Sequence, residues 1–291
     1  MILVSGTKRS GTSMWMQVLR AAGVPVLGEA FPRNWRSSLH EANPDGFYES
    51  LLRQGIYYRT NPHPLTGEYF LPEHVEGYAV KVFIPGVIRS ERAYITKLVA
   101  NIRPWREYVS SLRRLYALED AARRAKLPDS KDPFRFPPAF EWWMENFALV
   151  RDLSLRRYPA RLQAYDQLVE RPEALLPELL TWLGVPTERV ADGVAAINPE
   201  RRTQRDPDLD AADEIEPALA RVFDDLYAAV RGGHGLSGAL LQTLNQTNQS
   251  LLSRLASLQR ELASAQVERA SKAGGAPRAE PVSGLPAIKW S

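Results

Sequence analysis

The sequence predicts an α/β fold of three layers, with a central, mostly parallel sheet between helices and one further helix at the C-terminus. Three observations carry this expectation. Short apolar runs alternate with helical stretches over residues 1 to about 205, as strands joined by crossover helices require. The first run, Ile2-Leu3-Val4, feeds a glycine-containing loop and then a helix, the opening unit of such folds. After Gly238 the pattern changes to heptads.

In order along the chain, Ile2-Leu3-Val4 is a short buried strand and Gly6 to Gly11 a loop. Thr12 to Ala22 has helical spacing, with Met14, Val18 and Leu19 on its apolar face and Gly23 as the stop. Residues 28–77, rich in Pro, Gly, Asn and Arg, hold one short helical stretch, Leu51 to Tyr58; so long an irregular segment points to functional loops. Tyr78 to Ile84 and Leu98 to Ile102 read as the next two strands, and Pro104 to Lys126 as a helix with proline in its first turn. A break at Pro128, Pro133, Pro137 and Pro138 follows. Then come a helix from Phe140 to Arg157, a strand from Arg161 to Tyr165, and a helix from Pro172 to Leu183 with Pro177 as a candidate bend. These elements form one domain over residues 1–232.

Over 238–270, Leu241, Leu244, Asn248, Leu251, Leu255, Leu258, Leu262 and Ala265 recur at alternating spacings of three and four, the seam of a coiled-coil helix. Asn248 sits where a buried asparagine specifies a two-stranded register, so the seam implies a parallel homodimer; the alternative is an amphipathic helix packed on the body. Residues 271–291, rich in Gly, Pro, Ala and Ser, read as a disordered tail.

Composition narrows the function. The chain has no cysteine, which excludes disulfides, thiolate metal sites and cysteine nucleophiles. Its histidines, at 40, 63, 74 and 234, show no ligand spacing, so no metal is expected. No apolar run approaches the ~20 residues of a membrane span, and Met-Ile-Leu-Val before Gly6 is too short for a signal-peptide core, so a cytoplasmic protein is expected. The net charge is +3, but residues 238–291 carry six Lys/Arg against three Asp/Glu, leaving the rest of the chain balanced at 31 each. That argues against nucleic acid as a partner and assigns the basic residues of the body to a local anionic site.

Ser5-Gly6-Thr7-Lys8-Arg9-Ser10-Gly11-Thr12-Ser13 is the candidate for that site. Glycines let backbone amides approach a ligand, the following helix points its N-terminus at the loop, and hydroxyls and two cations add donors for anionic oxygens. A P-loop kinase needs Gly-Lys-Ser/Thr at the end of this loop; here Gly11 is followed by Thr12 and the cations come first. An ordinary polar turn is the other alternative.

The segment Ser5 to Trp15 resembles the 5'-phosphosulfate loop of sulfotransferases that use 3'-phosphoadenosine 5'-phosphosulfate, of the bacterial type; Lys8 stands where proline is usual. The resemblance implies a P-loop-like fold, that nucleotide as co-substrate without a metal, and Lys8, Arg9, Ser10, Gly11, Thr12 and Ser13 as its ligands. A second match is Arg103 at a strand end with Ser111 eight residues later on the helix, the family's grip on the 3'-phosphate. A third, Tyr165-Asp166-Gln167-Leu168-Val169, resembles the family segment whose tyrosine lies near the adenine, which implies that role for Tyr165; Arg201 and Arg202 fall where late cations are supplied. The matches span residues 1 to about 205.

Sulfuryl transfer by in-line displacement needs cations on the transferring group, a donor to the leaving phosphate and a base for the acceptor. Arg9 and Lys8 suit the first need. Lys81, in the apolar run Ala79 to Pro85, suits the second, since a lysine there is costly unless it meets an anion. The segment is similar to the family's Lys-Thr-His-Leu-Pro strand, but the histidine base falls on Phe83, which takes no proton. Glu29 and Glu49 are the candidate bases, with His40 behind them. The acceptor is expected to be a hydroxyl, or amine, on a small molecule, sugar or peptide. A nucleotide or small-molecule kinase and a non-catalytic nucleotide-binding scaffold stay open as alternatives.

Overall fold

A computed structural model describes residues 1–32, 43–126, 128, 132–202, 207, 209 and 215–272. Five strands form one sheet: β1 (Ile2–Gly6), β2 (Val26–Leu27), β3 (Ala79–Lys81), β4 (Lys97–Ile102) and β5 (Ala160–Ala164), in the spatial order β2-β3-β1-β4-β5. Every pairing is parallel, with Val4 opposite both Lys81 and Val99, and Gly6 opposite Asn101. The helices among the described residues are α1 (Thr12–Ala21), α2 (Ile84–Arg89), α3 (Trp105–Lys126), α4 (Pro138–Arg156), α5 (Tyr165–Glu170), α6 (Pro172–Leu183), α7 (Thr187–Ala195), α8 (Pro217–Gly232) and α9 (Gly238–Lys272).

Strand side chains alternate between two cores, as a pleat dictates. Ile2, Val4, Ala79 and Val99 join Trp15, Val18, Leu19, Leu176 and Leu180 on one face, under α1 and α6. Leu3, Val80, Val82, Leu98 and Ala100 join Ile84, Val87 and Leu149 on the other, under α2 and α4. Helices thus cover both faces, which is why the central runs Ile2–Val4, Ala79–Val80 and Leu98–Ala100 are apolar without alternating polar residues. A third cluster packs Trp105, Tyr108, Trp142, Trp143 and Phe223 between α3, α4, α8 and α9; the Trp143 and Phe223 rings stack at 5.0 Å.

Several elements differ from expectation. The strand placed over Tyr78 to Ile84 ends at Lys81: Val82 N–H still donates to Val4 carbonyl, but Pro85, in the first turn of α2, redirects the chain. Leu51 to Tyr58 is a single 3-10 turn, Leu51–Gln54, stopped by Gly55 at φ 109°. Tyr165 opens α5 rather than closing β5. In α1 the buried residues include Trp15 and Met16, and Met14 is only half-buried. Helix α6 runs through Pro177. The two-residue strand β2 and helices α2, α5, α7 and α8 were not foreseen.

The seam of α9 faces the chain's own body. Leu244, Leu251 and Leu255 are buried, and Leu240, Leu241, Leu258 and Leu262 pack on the same cluster as Trp143 and Phe223. The surface that the heptads offered to a second copy is therefore covered intramolecularly, because α8 and α4 present an aromatic face that needs burying. The expected disordered tail, 271–291, lies outside the described residues from 273 onward. No described helix is long and apolar enough to cross a membrane.

Candidate active site

In a parallel sheet all strands end at the same edge, and loops leaving that edge converge. Here β1 leads into the loop Thr7–Gly11, β3 ends at Lys81, β4 leads to Arg103 and β5 to Tyr165. The chain passes from β1 to β2 and β3 on one side, then crosses to β4 on the other, so a crevice opens between β1 and β4. A cavity of about 460 Å³ occupies this edge. Lys8, Arg9, Gly11, Thr12, Ser13, Glu49, Lys81, Arg103, Ser111 and Tyr165 all line it. Ser10 does not; it is buried, and its hydroxyl donates to Thr7 carbonyl at 2.7 Å, bracing the loop.

The loop is held in a conformation that exposes donors. Arg9 (φ 65°) and Gly11 (φ 93°) are both left-handed, and no side chain caps α1 at Gly11, so the first-turn amides remain available to an anion. A Cβ on Gly11 would meet the Tyr165 ring at 2.7 Å, so the backbone lies flush against that ring. Ion pairs fix the flanks. Arg103 donates to Arg9 carbonyl at 3.0 Å and to Glu107 at 3.2 Å, and its guanidinium lies 4.8 Å from the Tyr165 ring centre. Arg9 reaches across and donates to Ser111 Oγ at 3.3 Å. The two grips are thus in direct contact.

Their charges oppose each other. Burial, then the neighbouring cations Arg103 and Arg114, lower the Arg9 pKa to about 10. Such a cluster favours an anionic ligand between its members. Lys8 leans the other way: burial disfavours its charge, but Glu141 at 3.3 Å, with Glu145 and Glu119, outweighs that and raises its pKa. Lys8 is therefore tied to α4 rather than directed only at the ligand.

On the β3 side, buried Lys81 pairs with Glu49 at 2.6 Å and donates to Phe47 carbonyl and, at 3.4 Å, to Ser13 Oγ. Burial lowers its pKa. Glu49 is itself buried; Oε1 takes the lysine, while Oε2, 3.6 Å from Arg53 Nη1, has no hydrogen-bond partner. Glu49 lines the cavity, while its Oε2 is shut off from solvent beside Arg53, so two cations hold the carboxylate at the wall.

The two candidate bases separate here. Glu29 pairs with Glu49 through backbone only, each N–H donating to the other's carbonyl at 3.1 Å, and its side chain is exposed and off the cavity wall. His40 lies outside the described residues, as does the side chain of Arg201. Arg202 is buried and pairs with Glu107 and Glu170. Glu107, bridging Arg103 and Arg202, was missed by sequence reasoning although its spacing of four from Arg103 on a helix could have found it. Arg114, three residues after Ser111, also lines the cavity and was legible the same way. Glu141 left no such trace, since it meets Lys8 from a helix remote in sequence. Among the described residues no group of three or more His, Asp or Glu is arranged to hold a metal ion.

No family model and no curated protein matches this sequence. The reading of the site therefore rests on its own geometry.

Proposed function

We propose that this chain binds 3'-phosphoadenosine 5'-phosphosulfate in a P-loop-like site and transfers its sulfuryl group to an acceptor hydroxyl. One observation carries the reading: Lys8, Arg9 and Gly11–Ser13 of the strand-end loop and the pair Arg103 and Ser111 line the same cavity and touch each other. A ligand with two separated anionic groups on one adenosine suits that arrangement. The amides of α1 and Arg9 suit the 5'-phosphosulfate, Arg103 and Ser111 the 3'-phosphate, and the Tyr165 ring the adenine.

The protein's own groups have roles at defined atoms. Lys81 stands beside Ser13 at the end of the loop, where a donor meets charge developing on the leaving phosphate oxygen. The Glu49 carboxylate, on the cavity wall, takes the acceptor proton as the acceptor oxygen–sulfur bond forms and the bond from sulfur to the 5'-phosphate breaks, its electron pair staying on the phosphate. Lys81 holds the Glu49 carboxylate in place throughout.

Titration calorimetry with adenosine 3',5'-bisphosphate and with ATP tests the reading. The bisphosphate binds at least tenfold tighter if it holds. Preference for ATP in the presence of magnesium points to a kinase. Tight bisphosphate binding without turnover of the sulfate donor points to a nucleotide-binding scaffold.

A further inference from the structure

A second group of titratable side chains meets the loop from α3 and α4. Lys8 lines the cavity, and its Nζ donates to Glu141 Oε1 at 3.3 Å. Glu141 Oε2 accepts from the Tyr116 hydroxyl at 3.4 Å, and Glu145 follows one turn along α4. Tyr108, on α3, is buried and its hydroxyl has no hydrogen-bond partner, while Arg135 is engaged by Glu119 at 2.8 Å and Asp120 at 2.6 Å. From α9, Arg254 lies over the Phe140 ring at 4.3 Å. Neither Glu141 nor Glu145 lines the cavity.

The two ends of the Lys8–Glu141 contact differ in burial: the lysine side chain is 46% exposed, the glutamate 10%. An ion pair with one end in water is weakly held, so a phosphate at the α1 N-terminus, with nearly two negative charges, outcompetes Glu141 for Lys8. The carboxylates left behind cannot follow into water. Neighbouring buried carboxyls that lose a cation reduce their charge by taking a proton, which then belongs to the pair. Resting on the nucleotide site proposed above, we infer that ligand binding draws Lys8 off Glu141 and that the Glu141–Glu145 pair takes one proton from solvent in exchange. Affinity is thereby coupled to pH through two residues that do not touch the ligand.

The direction follows from Glu145, whose carboxyl is pushed up to about 8, first by burial and then by Glu141, with Lys8 opposing. Drawing Lys8 away pushes it up further. At pH 7 the proton is already in place and binding takes up little. Above pH 8 the proton must be acquired, so affinity falls as pH rises. Lys81, whose pKa burial lowers, and Arg9, at about 10, also face the ligand and are rival sources of proton uptake.

The test titrates adenosine 3',5'-bisphosphate into the whole chain at pH 8.5, in Tris and in HEPPS. The heats of ionisation of these buffers differ, so the difference in apparent enthalpy counts the protons exchanged. The ligand's phosphates are ionised at this pH, so uptake belongs to the protein. The expected uptake is about 0.5–0.8 proton per ligand, with affinity about fivefold weaker at pH 9 than at pH 7. In Glu145→Gln the uptake falls below about 0.2 proton and the pH dependence flattens, while affinity at pH 7 is unchanged. Lys8→Met loses the uptake too, because its carboxylate pair holds the proton before the ligand arrives. Failure of the wild-type chain to bind bisphosphate overturns the nucleotide site itself, and the coupling with it. Bisphosphate binding without uptake leaves the site intact and overturns the coupling. Uptake that persists in either folded variant assigns the proton to Lys81 or Arg9 and overturns it as well.

Discussion

Replacing Arg103 with methionine removes one of the two guanidiniums, those of Arg9 and Arg103, that line this part of the cavity while keeping a side chain of similar length. In the free protein Arg103 donates to Arg9 carbonyl at 3.0 Å and to Glu107 at 3.2 Å. Glu107 keeps Arg202 after the change, so no buried carboxylate is orphaned. Arg9 loses a neighbouring cation that helps hold its pKa near 10, which offsets the lost hydrogen bonds, and the melting temperature is expected to stay within a few degrees. Binding behaves differently. A charge-assisted hydrogen bond contributes about 1.5–3 kcal/mol, so losing one strong contact to a 3'-phosphate costs about 2–3 kcal/mol. That corresponds to an affinity loss of about 30- to 150-fold for adenosine 3',5'-bisphosphate. Adenosine 5'-monophosphate lacks the 3'-phosphate and is expected to lose less than about threefold, a mild through-space effect of one charge fewer. Calorimetry with both nucleotides on both proteins gives the comparison. Equal losses for the two ligands would refute the assignment of Arg103 to the 3'-phosphate, and no loss for either would refute the idea of two converging grips.

Other substitutions probe neighbouring parts of the site. Glu49→Gln keeps an oxygen for Lys81 but takes no proton; turnover is expected to fall by roughly 10²–10⁴-fold with bisphosphate affinity nearly unchanged, as read from steady-state kinetics beside calorimetry. Lys81→Met leaves Glu49 buried beside Arg53 alone, 3.6 Å away, and chemical denaturation should show a loss of about 3–5 kcal/mol that Glu49→Leu in the same chain largely restores. Half-buried Glu145 has its pKa raised to about 8, first by burial and then by Glu141, with Lys8 opposing. The folded state thus holds a proton between the ordinary carboxylate value of 4.5 and about 8 that the unfolded chain has released, so stability falls as pH rises through this window and Glu145→Gln flattens that slope in urea melts at a series of pH values. A chain ending at residue 237 uncovers Trp143 and Phe223 and loses buried Leu244, Leu251 and Leu255, each contributing roughly 1.5–3 kcal/mol; its melting temperature should drop clearly, whereas equal melting of the two chains would show that α9 does not pack on the body.

The alternation of apolar runs and amphipathic stretches was enough to specify an α/β fold, because strands buried on both faces leave no polar period and so stand out against helices. The loop from Ser5 to Ser13 was legible for a similar reason: glycines, hydroxyls and cations between a strand and a helix are local features, and their meaning does not depend on the rest of the chain. Arg103 and Ser111 were picked out because their spacing resembles the sulfotransferase grip on a 3'-phosphate, and both line the cavity. What was not legible depends on contacts across long stretches of sequence. Tertiary structure chose between Glu29 and Glu49: adjacent backbones pair, yet only Glu49 turns into the cavity to meet Lys81. It tied Lys8 to Glu141, 133 residues away, and packed the α9 seam against Trp143 and Phe223. A heptad pattern states that one helix face must be buried, but says nothing about what buries it. The sequence by itself determined the alternation of the main strands and helices and the residue types of the strand-end loop, since both are set by near neighbours. The parallel register of the sheet, which brings four strand ends to one edge, decided which of those residues share a site.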